Sequence, residues 1–158
     1  MKTIINNNFL RIVKFVDGDG IFLEDIVSKK VFEVRFLGID APETNYCKKV
    51  KQDEKELHIP AALLIKLGYL SSKFLKDQVE IGDTCSIIQE EDKLKDKYGR
   101  HLGYLVLKDG RILNEIMIKE GFAKPYSKVF CEMLPKYQEW NLQAKKEQKG
   151  LYSLVNQF

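Results

Sequence analysis

The sequence is poor in cysteine and histidine and has no long apolar run, and each shortage excludes a class of protein. The three cysteines, Cys47, Cys85 and Cys131, are widely spaced without a C-x-x-C motif, so we expect free thiols rather than a disulfide framework or a zinc site. His58 and His101 have no acidic or cysteine partners in a ligand pattern. No apolar run approaches the ~20 residues of a membrane helix, so we expect no membrane partner.

Chain length and the first residues bear on domain count and compartment. With 158 residues, the chain fits one domain spanning 1–158, with flexible ends at 1–8 and 153–158, and we expect a monomer. The opening segment MKTIINNNFLRIVKF has neither an apolar signal-peptide core nor a small-residue cleavage site. We therefore expect either a cytoplasmic protein or a secreted protein whose leader has been removed.

Charge is nearly balanced, with a formal net charge of +3 and a pI near 8.6. This excess is too small to require a polyanionic partner by itself. The lysines, however, gather in the segments CKKVKQDEK, DKLKDKYGR and AKKEQKG. Such segments either keep a small protein soluble or bind a polyanion, and composition alone leaves both explanations open.

Hydrophobic periodicity and turn signals predict a β-rich α+β fold. Three β-rich runs, separated by a DGDG turn and a polar SKK segment, predict a meander at the start of the chain. The remaining runs predict an amphipathic helix, two strands and two further helices. The predicted strands are 9–16, 21–27, 31–39, 84–90 and 102–107, and the predicted helices lie within 59–79, 111–121 and 135–150. This element order predicts a five-stranded OB-fold barrel with three α-helices.

The segment RFLGIDAPET, 35–44, places charged groups where the third predicted strand ends. Strict strand alternation directs Arg35 and Asp40 to opposite faces of the sheet. The two side chains can reach one site only if the strand is distorted between them, and Gly38 is where a distortion costs least. Pro42 favours a turn that carries Glu43 outward.

The sequence also offers oxygen ligands for a hard cation. Asp40, Glu43 and the carbonyl of Ala41 lie within reach of one point after such a distortion, and oxygen donors suit Ca²⁺ or Mg²⁺ rather than zinc. The DGDG turn adds Asp17 and Asp19, but it is not an EF-hand because a third Asp or Asn followed by Gly is missing. Taken separately, DGDG and DAPET are explained more simply as solvated turns.

The segment DKYGRHLGY, 96–104, carries a third group of functional side chains. Lys97, Tyr98 and Arg100 surround Gly99 just before a predicted strand. Because an arginine fork matches two phosphate oxygens, Arg100 and Arg35 together suit a phosphodiester held from two sides. A basic hairpin turn without a ligand explains the same segment.

Taken together, VDGDG, RFLGIDAPET and DKYGR resemble the three signature segments of the staphylococcal nuclease (thermonuclease) family, in the same order. The similarity extends from about residue 11 to the end and includes NEIMIKEGFAKPY and AKKEQKGLYS. The resemblance implies an OB-fold with three helices and a Ca²⁺-dependent endonuclease that hydrolyses phosphodiester bonds of DNA and RNA. Its implied products carry 3′-phosphate ends, and single-stranded or locally melted nucleic acid is the implied preference.

The resemblance also implies the metal ligands. Asp19 and Asp40 match the metal-binding carboxylates of the family, and Ala41 matches a ligand that acts through its backbone carbonyl. Gly20 departs from the family, which usually has a hydroxyl residue there, so a contact behind the metal ligands is missing or is made by water.

Three further matches imply catalytic roles. Glu43 matches the carboxylate beside the attacking water, and Arg35 and Arg100 match the arginines that bind phosphate. Glu43 either positions this water or deprotonates it, and both tasks need the same carboxylate in the same place. The two arginines are the groups able to meet the charge that builds on phosphate oxygens.

The nucleotide pocket is implied by Lys97, Tyr98 and Tyr126, which match positions that line it in the family. The connection after Glu43, about 44–60, is long for the family, which leaves the shape of the pocket and the choice of substrate open. Tyr152 stands where the family often has tryptophan, a change that concerns packing.

One alternative from another class is a non-catalytic OB-fold module that binds single-stranded nucleic acid through stacking and basic residues. A module of this kind does not need carboxylates facing two arginines. The sequence retains all five such groups, and we therefore favour the enzyme: Asp19, Arg35, Asp40, Glu43 and Arg100.

Overall fold

A computed structural model describes residues 4–158 and the side chains of residues 5–158. Five strands form a closed barrel: β1 (Ile4–Asp17), β2 (Gly20–Asp25), β3 (Val31–Phe36), β5 (Thr84–Glu90) and β6 (His101–Leu107). Two short strands pair beside the barrel: β4 (Ile39–Asp40) and β7 (Lys124–Pro125). The predicted five-stranded OB-fold barrel and its opening meander are confirmed.

The barrel closes in the order β1, β2, β3, β6, β5, with β5 returning to β1. All neighbours are antiparallel except β3 and β6, which run parallel. Since successive side chains of a strand point to opposite faces, alternate residues fill the interior. The residues that are at most 1% exposed there include Leu10, Ile12, Ile21, Leu23, Val34, Phe36, Ile87 and Leu105.

Four α-helices surround the barrel within the described residues, so the predicted count of three is wrong. They are α1 (Lys48–Leu57), α2 (Ala61–Gln78), α3 (Leu113–Lys119) and α4 (Leu134–Lys146). The additional helix is α1, in the connection after Glu43, for which the sequence patterns predicted no helix or strand. Its sequence KKVKQDEKEL consists mostly of good helix formers, but it has few apolar residues, and Val50 is the only residue of this helix that is buried.

The last helix is also shorter than predicted. α4 ends at Lys146 rather than at 150, and a 3-10 turn follows at Gly150–Ser153. The chain leaves the helix because Gln148 and Gly150 adopt positive φ angles of 53° and 54°. The backbone N–H of Leu151 then donates to the carbonyl of Gly121 at 2.9 Å, which ties the end of α4 to the end of α3.

A second hydrophobic cluster joins α1 and α2 to the C-terminal segment. Its buried residues are Val50, Leu64, Leu67, Ala144, Leu151, Tyr152 and Phe158. Both ends of the chain were predicted to be flexible. Residues 4–8 belong to β1, and residues 1–3 lie outside the described residues. At the other end, Phe158 is buried in this cluster. The flexibility of both ends stays a prediction.

The cysteines and the helices bear on two expectations from the sequence, free thiols and no membrane-spanning helix. Cys47, Cys85 and Cys131 are free, as predicted, and only Cys47 is exposed. Within residues 4–158, no helix combines the length and the apolar character needed to cross a membrane.

The buried side chain of Asn114 connects the barrel to α3. Its Nδ2 donates to the carbonyls of Leu37 (2.9 Å) and Gly103 (3.1 Å), and its Oδ1 accepts from the N–H of Leu105 (3.0 Å). Asn114 is fully buried, so none of these groups has water as a ready substitute. It fixes the position at which β3 ends against β6.

We predict that Asn114→Ala lowers the free energy of unfolding by about 3 kcal/mol, because each buried polar group left without a partner costs about 1–3 kcal/mol. Urea denaturation followed by circular dichroism measures this difference. Asn45→Ala, at an exposed loop position, is the matched control and is expected to change stability by less than about 0.5 kcal/mol. A loss below about 1 kcal/mol for Asn114→Ala would contradict the connecting role.

Candidate active site

The chain turns at Gly38, and this turn brings Arg35 to Asp40. β3 ends at Phe36, and Gly38 adopts a left-handed φ of 82° before β4 begins. Arg35 Nη1 donates to the carbonyl of Ile39 at 3.0 Å, and Nη2 donates to Oδ1 of Asp40 at 3.2 Å. The predicted distortion near Gly38 is therefore confirmed, since the two side chains meet despite their strand positions.

Asp19 reaches the same place from the turn between β1 and β2. Its Oδ2 accepts from the backbone N–H of Ala41 at 2.9 Å and lies 3.5 Å from Arg35 Nη2. Asp19 and Asp40 are both less than 10% exposed. The two carboxylates thus face one guanidinium group in a largely buried site.

Glu43 is positioned by a close backbone contact with α2. Gly68 lies in the middle of this helix, and a β-carbon there would come within 2.1 Å of the Glu43 carbonyl oxygen and 2.9 Å of the Pro42 carbonyl oxygen. Only glycine permits this approach. The side chain of Glu43 is 34% exposed, so it borders both the cluster and solvent. We call Asp19, Asp40 and Glu43 the carboxylate cluster.

Lys49 is the residue of this site that the sequence analysis missed. Its Nζ donates to both carboxylate oxygens of Asp40, at 2.8 and 3.0 Å, and lies 3.6 Å from Oε1 of Glu43. Lys49 is the second residue of α1, so the contact depends on the helix that was not predicted. The available signal was the run of helix formers after Cys47, with Val50 and Leu57 two turns apart.

The pKa values near the cluster reflect buried negative charge. Burial, followed by the charge of Asp19, raises the pKa of Asp17 to about 8. Burial also raises the pKa of Glu43 against the opposing charge of Lys49, and the charges of Asp19 and Asp40 add to the increase. Burial alone lowers the pKa of Lys49, but the charges of Asp40 and Glu43 outweigh it and leave this pKa above its ordinary value. The site therefore holds a surplus of carboxylate charge.

A cavity of about 400 Å³ adjoins the cluster and contains the other predicted residues. Arg35 links the two, because its guanidinium contacts the cluster and also lies 4.9 Å from the ring centre of Tyr126. Arg100 lies 5.5 Å from the ring centre of Tyr98, and its Nε donates to Asp96 at 2.7 Å. The sequence-predicted residues that line the cavity are Arg35, Lys97, Tyr98, Arg100 and Tyr126.

The structure thus brings the nine sequence-predicted residues into two adjacent groups that share Arg35. Lys97 lies over the Tyr98 ring, 5.1 Å from its centre, while Tyr98 is 72% exposed. Ala41 and Glu43 line a small cleft on the cluster side together with Lys49. The chemical roles of all nine residues stay predictions.

The donor atoms of the carboxylate cluster are all oxygens, the atom type that hard cations prefer as a ligand. Asp19 and Asp40 lie within 3.5 Å of the same Arg35 nitrogen, so their oxygens converge, and carboxylate oxygens suit Ca²⁺ or Mg²⁺. Among residues 4–158, no group of three or more Asp, Glu, His or Cys side chains is arranged to hold a metal ion. The structure places Lys49 on Asp40 instead.

The closed barrel, with a charged cluster and a cavity at one site, defines an OB-fold protein with a polar, largely buried site beside a cavity. The chain belongs to the staphylococcal nuclease homologue family, whose model matches residues 33–154. This match includes every predicted site residue except Asp19, which precedes it.

Three relatives resemble the chain over most of its length. Endonuclease YhcR of Bacillus subtilis is 32% identical over 143 residues, which are 89% of this chain but 11% of that protein. An uncharacterized endonuclease of Escherichia coli O157:H7 is 31% identical over 144 residues, which are 90% of this chain and 76% of the relative. The protein MJ1439 of Methanocaldococcus jannaschii is 27% identical over 156 residues, covering 92% of this chain and 72% of the relative.

We predict that Gly68→Ala lowers stability and displaces the loop that carries Glu43. Helix propensity alone favours alanine over glycine by about 1 kcal/mol, so a loss of stability can come only from the close contact with the loop. Thermal unfolding measures the loss, and the amide chemical shifts of Glu43 and Thr44 report the displacement. Lys66→Ala, at an exposed position of the same helix, is the control and is expected to leave both unchanged. A more stable Gly68→Ala variant would contradict the contact.

Proposed function

We propose that the chain is a Ca²⁺-dependent nuclease that hydrolyses phosphodiester bonds of DNA and RNA and leaves 3′-phosphate ends. Membership of the staphylococcal nuclease homologue family and relatives named endonucleases support this proposal. The observation that carries it is the position of Arg35, which contacts Asp19 and Asp40 on one side and lines the cavity with Arg100 on the other. A phosphate at this boundary faces oxygen ligands and arginine donors together.

In this proposal Asp19, Asp40 and the carbonyl of Ala41 hold the Ca²⁺. The convergence of the two carboxylates on one Arg35 nitrogen and their burial support the assignment. When bound, a cation of this kind supplies Lewis-acid polarisation of a phosphate oxygen and a template for water. The hydrogen bond from the Ala41 N–H keeps the Asp19 carboxylate oriented toward Asp40.

Glu43 acts on the attacking water. Its carboxylate borders solvent, and burial raises its pKa, which makes it a stronger proton acceptor than an exposed glutamate. Its position depends on the backbone contact with Gly68, so the helix α2 sets where the carboxylate stands. A fixed carboxylate at this place suits both orientation and deprotonation of water.

Arg35 and Arg100 bind the phosphate and stabilise the charge that develops on its oxygens. Arg35 is held by the Ile39 carbonyl, by Asp40 and by the Tyr126 ring, so its guanidinium is fixed before substrate arrives. Asp96 receives the Nε–H of Arg100 and fixes the second guanidinium. Groups that need no reorganisation during the reaction stabilise charge most effectively.

The cavity binds the nucleotide next to the reacting phosphate. Tyr98 offers an exposed ring, Tyr126 offers a second, and Lys97 adds positive charge between solvent and cavity. Because stacking on these rings needs bases that are free of a duplex, the proposed substrate is single-stranded or locally melted. The proposed active form is the monomer, since all assigned residues lie in one chain.

The decisive test is incubation of the protein with denatured DNA in Ca²⁺, in Mg²⁺ and in EDTA. We expect cleavage in Ca²⁺, no cleavage in EDTA, and a loss of about 10²–10³ in rate for Glu43→Gln and for Arg100→Ala. Glu147→Gln and Arg111→Ala, at exposed positions outside the site, are the matched controls and are expected to keep full activity.

Intact DNA in Ca²⁺, or equal cleavage by both site variants, overturns the nuclease assignment. Binding of single-stranded DNA without cleavage would instead support the OB-fold binding module. End-labelling of the products distinguishes 3′-phosphate from 5′-phosphate termini.

We further predict that Tyr98→Ala raises the KM for single-stranded DNA about tenfold and changes kcat little, because stacking of one base is worth about 1–3 kcal/mol. Tyr98→Phe keeps the ring and is expected to keep the KM. Tyr69→Ala removes a similarly exposed tyrosine from α2 and is the control. An unchanged KM in Tyr98→Ala would remove Tyr98 from the substrate pocket.

A further inference from the structure

We propose that Lys49 is a built-in cation that occupies the carboxylate cluster until a divalent cation displaces it, and that it thereby sets the metal affinity of the site. This inference rests on the proposed function, because it takes Asp40 as a metal ligand. It concerns a residue outside the nine that the sequence analysis assigned. Lys49 therefore acts through competition with the metal and is not a group that touches the substrate.

The contacts of Lys49 place its ammonium group on the same carboxylate, Asp40, that is proposed to bind the metal. Its Nζ donates to both oxygens of Asp40, at 2.8 and 3.0 Å, so both oxygens of that carboxylate are engaged. The same nitrogen lies 3.6 Å from Oε1 of Glu43. A divalent cation that takes up Asp40 meets the ammonium group of Lys49 at the same oxygens, and two positive charges there repel each other.

Lys49 is also the cation of this site that is free to leave. Its side chain is 39% exposed, whereas the side chains of Asp40 and Arg35 are 9% and 14% exposed. Arg35 is fixed by a backbone carbonyl and a tyrosine ring, but a lysine has a flexible four-carbon stem and a compact charge. Rotation of the stem carries the ammonium into solvent without a change in the backbone.

The helix that carries Lys49 is anchored independently of the cluster. Val50, the next residue, is 1% exposed and belongs to the hydrophobic cluster that includes Leu64 and Leu67 of α2. The carboxylate of Glu54 accepts from the N–H of Ala61 and ties α1 to the start of α2. Removal of the Lys49 ammonium is therefore expected to leave α1 in place.

Competition of this kind has a defined thermodynamic consequence. If only a fraction of molecules has Asp40 free of Lys49, the apparent Kd for the metal is the intrinsic Kd divided by that fraction. Removal of the ammonium therefore tightens metal binding. The pair of Lys49 and Asp40 is partly exposed, but it includes charge-assisted hydrogen bonds to both carboxylate oxygens. We therefore expect loss of the ammonium to lower the Kd for the metal about five- to tenfold.

The test is direct measurement of Ca²⁺ binding by isothermal titration calorimetry, with Tb³⁺ luminescence as a second probe. Lys49→Met keeps the length of the stem and removes the charge, and its expected Kd is about five- to tenfold lower than that of the unmodified protein. Lys48→Met, at the exposed neighbouring position, makes the same chemical change and is expected to leave the Kd unchanged.

Lys49→Arg provides a second variant with the opposite expectation. An arginine keeps the charge and can engage the Asp40 carboxylate with two parallel N–H groups, so the Kd for Ca²⁺ is expected to stay equal or rise. Far-UV circular dichroism in EDTA verifies that each variant is folded. Competition is supported if Ca²⁺ binds most tightly to Lys49→Met, less tightly to the unmodified protein and least tightly to Lys49→Arg. A change in side-chain bulk alone does not produce this order of affinities.

The failures of this inference and of the proposed function are distinguishable. If the unmodified protein binds Ca²⁺ and Lys49→Met binds it with equal or weaker affinity, the competition is overturned. The proposed metal site then stands. Absence of Ca²⁺ and Tb³⁺ binding in both proteins overturns the metal assignment and the competition together. Nuclease activity is measured separately and decides neither of these outcomes.

Discussion

The left-handed turn at Gly38 is the constraint on which the candidate site depends. Strict strand alternation would direct Arg35 and Asp40 to opposite faces, and the turn at Gly38 instead brings the two side chains to 3.2 Å. A β-carbon at this position would lie 2.9 Å from the sulfur of Cys131 and 3.0 Å from the ring of Tyr137, so packing as well as backbone conformation requires glycine. The fully buried Tyr137 thus makes α4, which contributes no functional side chain, part of the support of the site.

The barrel and the helices contribute different kinds of order to this site. Strand pairing fixes Arg35, the turn between β1 and β2 carries Asp19, and the pairing of β4 with β7 fixes Asp40. The helices reach the site through single contacts, the backbone approach at Gly68 and the side chain of Lys49. The groups that need constant geometry therefore stand on strands and tight turns, and the group that can move stands on a helix with an exposed stem.

Sequence patterns predicted the parts of this structure that depend on local chemistry. The meander, the five barrel strands and the distortion at Gly38 follow from alternation, turn residues and the conflict between Arg35 and Asp40. The helix α1 was missed because it is stabilised by the packing of Val50 in the cluster that includes Leu64 and Leu67, which a local pattern does not show. The contact of Lys49 with Asp40 was missed for the same reason, since it exists only when α1 is in place. The early end of α4 likewise depends on Leu151 bonding to Gly121, a contact between distant segments.

Two cations, Arg35 and Lys49, balance the buried negative charge of Asp40. Burial of Asp19 and Asp40 side by side costs free energy unless cations balance them. Arg35 supplies one charge that is locked by the Ile39 carbonyl and belongs equally to the cavity. Lys49 supplies a second charge with a more exposed side chain and no such backbone restraint among the contacts described. The charge of Arg35 also borders the cavity and the charge of Lys49 does not, so loss of the Lys49 charge alters the balance at Asp40 without removing a group from the cavity wall.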